Sequence, residues 1–264
     1  MANFALRDLL IEIGTEELPP KALSSLALAF ENGIREGLEK AGLTHGGIHR
    51  FATPRRLAVL IAQLPTGQPD RRLERRGPAL SAAFSPDGKP TRAAEGFARS
   101  CGVAVAELQR QETAQGAWLV HLSVEPGAAT ADLIPGIVRT ALAALPIPKR
   151  MRWGDRDDEF VRPVHWAVLL FGDDVIPATI LGVAAGRETR GHRFHHPQPI
   201  RLTAPADYTR QLADEGQVIA DFDQRRATVR AQAEAVAAEL RGKAVIKPEL
   251  LDEVTALVEW PVAL

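Results

Sequence analysis

The stretch Val164–Val183, VHWAVLLFGDDVIPATILGV, decides how the rest of the chain is read. Two apolar runs flank Gly172-Asp173-Asp174, and apolar runs bounded by turn residues read as buried strands, so a hairpin of two strands is expected here. Upstream, a helix is expected from about Asp132, with Ile134, Val138, Leu142 and Leu145 as its buried stripe. Pro135, which lacks an N–H, should then lie in its first turn. Nearer the start, FALRDLLIEIG reads as a strand ending at Gly14, and Pro19-Pro20 can open a helix. That helix carries Leu23, Leu26, Phe30, Ile34, Leu38 and Ala41 on one stripe and stops at Gly42. IHRFATPRRLAVLIAQL reads as two strands broken at Pro54, the second alternating Leu57, Val59 and Ile61.

Downstream of the hairpin the pattern turns helical. Asp223 is the expected N-cap of a helix with Val229, Ala233, Val236, Ala237 and Leu240, closed by Gly242. Pro248 opens another with Leu250, Leu251, Val254 and Leu257. The apolar ending VEWPVAL, with no polar tail, reads as the stop of a truncated chain. Residues 66–124 differ in character, with a Pro/Gly-rich opening, a short helix TRAAEGFARSCG and a hairpin-like pair ending in AWLVHLSV. The expected class is α+β, with mixed, largely antiparallel sheets, packed helices and a helical C-terminal third. Residues 1–65 plus 125–204 form one module, 66–124 an inserted subdomain and 205–264 a mainly helical module.

Composition bounds the chemistry. Hydrophobic residues are 45% and charged residues 25% of 264, the balance of a globular protein with a real core. No apolar run approaches the roughly 20 residues that cross a bilayer, so no membrane is expected and the cytoplasm is the default compartment. Cys101 is the single cysteine, which excludes an internal disulfide, and its place on a helical face with Ala94, Phe97 and Ala98 marks it as packing. The net charge of -1 hides an uneven distribution, since residues 49–76 hold seven Arg against Asp70 and Glu74. Residues 202–264 are acidic.

Most catalytic signatures are missing: no phosphate-binding Gly-rich loop before Lys-Ser/Thr, no dinucleotide fingerprint and no nucleophile elbow. His192, His195 and His196 lack carboxylate or cysteine partners at ligand spacing, so no metal is expected. Asp155 opens an acidic run whose sixth position is Phe160, where a calcium loop needs Gly. Glu16 and Glu17 precede a helix, where negative charge suits its dipole, and neighbours in sequence generally point apart. What remains is anion binding. Lys149, Arg150, Arg152, Arg156 and Arg162 surround the acidic run, and Arg forks match phosphate oxygens while Trp153 or Trp166 could stack on a base. Arg190 and Arg193 form a second cluster, and Arg55 and Arg56 a third.

IEIGTEELPPKAL, FATPRRLAV, RRGPA, GKPTRAAEGFARSCG, LPIPKRMRWG, FVRPVHW, VIPATILG, RGHRF and EVTALVEWPV occur in order from Ile11 to Val262. Together they resemble the N-terminal part of the bacterial glycyl-tRNA synthetase beta subunit. The resemblance implies an assembly with an alpha subunit that attaches glycine to tRNA(Gly) using ATP with magnesium. It implies that the aminoacylation core lies in the alpha subunit, that this chain alone is inactive and holds no cofactor, and that it positions RNA. A rival reading makes the region a scaffold that docks the alpha subunit without touching RNA.

Overall fold

A computed structural model describes residues 4–113, 116–155 and 157–264. The described residues form two compact units, 69–127 and 4–68 with 128–264. The α+β class expected from sequence is the one found.

In the larger unit, β1 (Leu6–Thr15) leads into α1 (Pro20–Lys40), and β2 (Ile48–Thr53) and β3 (Arg56–Pro65) follow as an antiparallel pair. Their turn is Pro54-Arg55, where proline cannot donate to the ladder. The smaller unit comes next. β4 (Arg71–Ala79) is followed by α2 (Leu80–Ala83), α3 (Arg92–Cys101), β5 (Gln109–Thr113) and β6 (Gly116–Glu125), with β6 central in a three-stranded antiparallel sheet. Ala83, Ala94, Ala98, Leu108 and Leu119 form its core, while Cys101 is half-buried beside it. β4 was not expected as a strand, because RRLERRG has no apolar alternation. Two of its arginines are held by neighbours instead: Arg75 donates to the Ser100 carbonyl at 3.0 Å, and Arg76 lies 3.8 Å from the Trp118 ring centroid.

The larger unit resumes where it was left. Gln68 N–H donates to the Ala128 carbonyl (2.9 Å), Ala128 N–H to Gln68 Oε1 (3.1 Å) and Thr130 N–H to the Thr66 carbonyl (3.0 Å). α4 (Thr130–Ala143) starts two residues before the expected position, so Pro135 sits inside the helix and not in its first turn. The proline forgoes the hydrogen bond its missing N–H would make, and Ile134, Val138 and Leu142 stay buried. β7 (Met151–Arg152) and β8 (Glu159–Phe160) pair, and β9 (Val164–Phe171) enters the main sheet.

The hairpin expected at 164–183 is only half present. β9 turns at Gly172 into β10 (Asp174–Val175), which pairs for two residues. Pro177 then ends the ladder, since it has no N–H to offer. β11 (Thr179–Ile180) forms a small hairpin with β12 (Val183–Gly186), and β12 returns beside β9 in parallel. The strand order is β11-β12-β9-β1-β3-β2, with β1 in the middle. Both faces of this sheet are covered. Leu9, Ile11, Ile13, Val59, Ile61 and Leu169 pack against α1 and α4. Leu10, Ala58, Trp166, Val168 and Leu170 face the other way. Each such aliphatic side chain contributes roughly 1.5–3 kcal/mol on burial.

That second face is covered by the C-terminal region. β13 (Glu188–Arg190) pairs with β14 (Pro199–Arg201), and α5 (Tyr208–Asp214), α6 (Phe222–Glu239) and α7 (Pro248–Thr255) follow. Ile200, Leu202, Tyr208, Leu212 and Val218 supply the contact. Residues 205–264 therefore share a unit with the sheet. α6 begins earlier than expected: Asp221, not Asp223, is the N-cap and accepts from Gln224 N–H at 2.8 Å. Its expected stripe is half-buried, and Leu240 is exposed. The fully buried residue of α6 is Arg225, which donates to the carbonyls of Ala52 (2.7 Å), Ile219 (2.6 Å) and Thr255 (3.1 Å). Burial pulls its pKa down to about 10.

Candidate nucleic-acid interface

The β2–β3 turn places two adjacent arginines in opposite environments. The Arg55 and Pro54 carbonyls accept from Thr15 N–H (2.8 Å) and Leu18 N–H (2.6 Å), which ties the turn to the segment after β1. Arg56 then points into the second face of the sheet and has no exposed surface. It donates to Thr53 Oγ1 (3.1 Å), Thr189 Oγ1 (3.3 Å), the Arg190 carbonyl (2.8 Å) and Glu259 Oε1 (3.2 Å), with Glu12 Oε1 at 3.8 Å. Glu12 in turn accepts from Trp166 Nε1 and from Thr189 Oγ1. Burial alone would lower the Arg56 pKa, but the Glu259 and Glu12 carboxylates outweigh it and raise it. Arg56 was expected on the anion-facing surface. That expectation is corrected: a guanidinium with no exposed area and four protein acceptors is a structural cation.

Arg55 goes the other way. It is half-buried, with its Cζ 5.6 Å from the Trp166 ring centroid, and burial lowers its pKa. Its Nε is buried and has no hydrogen-bond partner. Arg55 lines a recess of about 440 Å³ together with Glu16, Arg193 and Trp166. A second recess of about 520 Å³ shares His165, Trp166 and Arg190 with the first and adds Arg187, Glu188 and Arg201. The β13–β14 ribbon explains the arrangement. Thr189 and Ile200 are a buried cross-strand pair, so Glu188, Arg190 and Arg201 all face outward.

The two acids before α1 face this surface. Arg193 spans them, donating through Nη2 to Glu16 Oε2 (2.5 Å) and pairing through Nη1 with Glu17 Oε1 (3.1 Å). His165 Nε2 bonds Glu16 Oε1 at 2.9 Å, and Arg162 Nε donates to the Glu17 carbonyl at 2.9 Å. The Arg193 hydrogen bond is the main reason the Glu16 pKa falls below the usual carboxylate range. The expectation that these acids point apart is corrected, because one arginine fork reaches both.

The segment that carried the most basic residues in sequence is more self-paired. Arg150 Nη2 donates to the Ala143 carbonyl (2.8 Å) at the end of α4, where a cation suits the helix dipole. Arg152 pairs with Asp157 (3.2 Å) and Glu159 (3.3 Å), Lys149 is exposed, and Trp153 packs partly buried on the main core. Arg156 lies outside the described residues. Among the described residues no three His, Cys, Asp or Glu side chains gather as a metal site.

Sequence reasoning missed His165, Arg187 and Arg201. His165 is the one exposed side chain of an otherwise buried strand, Arg187 lies in the bend between β12 and β13, and Arg201 ends a three-residue strand, so no alternation marks any of them as facing out. Five arginines with two acids around an indole can hold an oxyanion through bidentate bonds.

Residues 9–264 match the family described as "Glycyl-tRNA synthetase beta subunit". The chain is 56% identical over 258 residues to the glycine–tRNA ligase beta subunit of Hahella chejuensis, covering 98% of this chain and 37% of that protein. It is 55% identical over 261 residues to that of Marinobacter nauticus, covering 98% and 38%. With that of Pseudomonas aeruginosa the identity is 51% over 258 residues, covering 98% and 37%. The chain thus spans little more than a third of the length of these relatives.

Proposed function

The chain belongs to the glycyl-tRNA synthetase beta subunit family, and on that premise we propose that it positions tRNA(Gly) and helps assemble the enzyme. In this reading the complete enzyme attaches glycine to tRNA(Gly) in the cytoplasm with ATP and magnesium, and the alpha subunit carries the chemistry. One observation supports the role of this region: Arg55 from the β2–β3 turn and Arg190 and Arg193 from more than a hundred residues later line one recess with Trp166. Arg190 and Arg201 make no side-chain hydrogen bond or ion pair among the described residues, so both are available to phosphate. Lys149, Arg150 and Arg152 extend the basic surface as a second contact.

The test compares two charge reversals in the complete enzyme, Arg190→Glu with Arg193→Glu, and Arg150→Glu with Arg152→Glu. Each is expected to raise KM for tRNA(Gly) and to leave glycine-dependent ATP–pyrophosphate exchange nearly unchanged. Each lost phosphate contact should reduce the salt slope of binding by about one unit. A second reading has support from exposed Leu240, Val245, Leu250, Leu257 and Val262, apolar side chains that a protein partner would cover. If the reversals spare tRNA affinity and salt slope but release the alpha subunit, the scaffold reading wins.

A further inference from the structure

The loop after β13 carries an aromatic side chain that phosphate binding leaves unused. Gly191 is buried, and a Cβ there would come within 2.9 Å of the Gly216 Cα, the Gly216 carbonyl and the His196 Cβ. Only glycine lets the loop sit this close to the backbone after α5, and His192 N–H secures it by donating to the Gly216 carbonyl at 2.7 Å. His196 N–H donates to the His192 carbonyl at 2.9 Å and closes a turn. Inside the turn, His192 Nδ1 accepts from the N–H groups of Phe194 and His195, both at 3.3 Å. Burial lowers the His192 pKa and so keeps the imidazole in the neutral form that can accept. The His195 ring packs on it at 4.3 Å.

This pinned turn holds the Phe194 ring 81% exposed, between Arg193 and Pro197, both of which line the smaller recess. A scattered exposed apolar residue is ordinary. A phenyl ring at the tip of a turn fixed by several backbone bonds, next to Arg193 and four residues from the unpaired Arg190, is held out without being buried. The geometry points to Phe194 as a platform on which one unpaired base of an RNA strand stacks while Arg190 and Arg193 hold the adjoining phosphates. A base inside a duplex already has neighbours on both faces, so the ring selects single-stranded or looped RNA. Every base has a π-face, so selection is for strandedness and not for sequence. The inference rests on the RNA-binding reading of this surface and adds the class of RNA structure it takes.

The experiment measures fluorescence anisotropy of a labelled single-stranded RNA 12-mer and of a labelled blunt RNA duplex with this chain. Phe194→Ala, Phe194→Trp and Arg190→Glu/Arg193→Glu are compared at several salt concentrations. Phe194→Ala is expected to weaken single-strand binding about tenfold, to leave duplex binding alone and to keep the salt slope, since no phosphate contact is lost. Phe194→Trp should restore affinity, and its indole fluorescence should be quenched by the single strand. The stacking inference falls if Phe194→Ala changes neither affinity or lowers both equally while the double arginine reversal still abolishes binding. If the arginine reversal also has no effect on either RNA, the RNA-binding reading falls with it. Loss of alpha-subunit association by Phe194→Ala in the complete enzyme, with RNA affinity intact, would assign the ring to a protein contact instead.

Discussion

Gly14→Ala is the sharpest test of how the recess is built. Gly14 pairs with Trp166 across β1 and β9, and the indole lies directly over it. A Cβ at Gly14 would fall inside the van der Waals shell of the indole Cδ2, Cε2 and Cε3, closer than real Cβ contacts come. The indole would have to leave, and with it the bond from Nε1 to buried Glu12. Overpacking costs about 1–3 kcal/mol, and losing a hydrogen bond to a charged group costs about 1.5–3 kcal/mol. The sum is about 2.5–6 kcal/mol, which for a domain of this size lowers Tm by roughly 10 °C. Urea and thermal denaturation would measure it. Trp166→Ala alone should cost about 3–5 kcal/mol through the cavity it leaves. On that background Gly14→Ala should cost less than about 1 kcal/mol, because nothing remains to collide with. Equal costs in the two backgrounds would refute the contact as the reason for glycine at position 14.

Two further outcomes follow from the buried and half-buried charges. Arg56→Met leaves Glu12 and Glu259 buried without their cation and should cost about 3–5 kcal/mol in urea denaturation, whereas Arg190→Glu on the surface should stay within about 0.5 kcal/mol. For Glu31, burial alone would raise the pKa, but hydrogen bonds from Arg50 (2.7 Å) and Arg35 (2.6 Å) outweigh it and hold the group below the ordinary carboxylate range. Its stabilising contribution is therefore present above that range and lost as pH falls through the lowered value. Glu31→Gln should be less stable than the parent at pH 7, with the gap closing on acidification, and a gap unchanged at low pH would contradict the assignment.

Elements with strong local punctuation were legible in the sequence. The stripe of α1, its proline start and its glycine stop, and the break at Pro54 between β2 and β3 all come from neighbours within a few positions. What failed depended on distant partners. In β3 the alternation of Leu57, Val59 and Ile61 suggests one buried face, which leaves Arg56, Ala58 and Leu60 as the outer one. That outer face is covered by elements from β13 onward, so Arg56 is enclosed by Thr189 and Glu259, more than a hundred residues away. Nothing local separates Arg56 from Arg55. The second half of the 164–183 hairpin does not form because Pro177 cannot donate to the ladder, a break masked by the apolar residues on both sides of it. The convergence of Arg193 on Glu16 and Glu17 is likewise a product of tertiary pairing.

The hydrogen-bonded seam where Thr66–Gln68 meets Ala128–Thr130 has a consequence for how the gene product can change over time. For the host unit, everything between Gln68 and Ala128 is a single loop whose ends are already fastened together. The entropic cost of closing such a loop grows by only about 0.6 kcal/mol for each doubling of its length. The seam is thus a splice junction at which sequence can be lengthened, exchanged or removed with little effect on the seven-stranded sheet. It also sets an order on the ribosome. β1, α1, β2 and β3 emerge together and can assemble at once, whereas α4 and β9, which complete the layer and the middle of the sheet, must wait until the whole interposed segment has been synthesised.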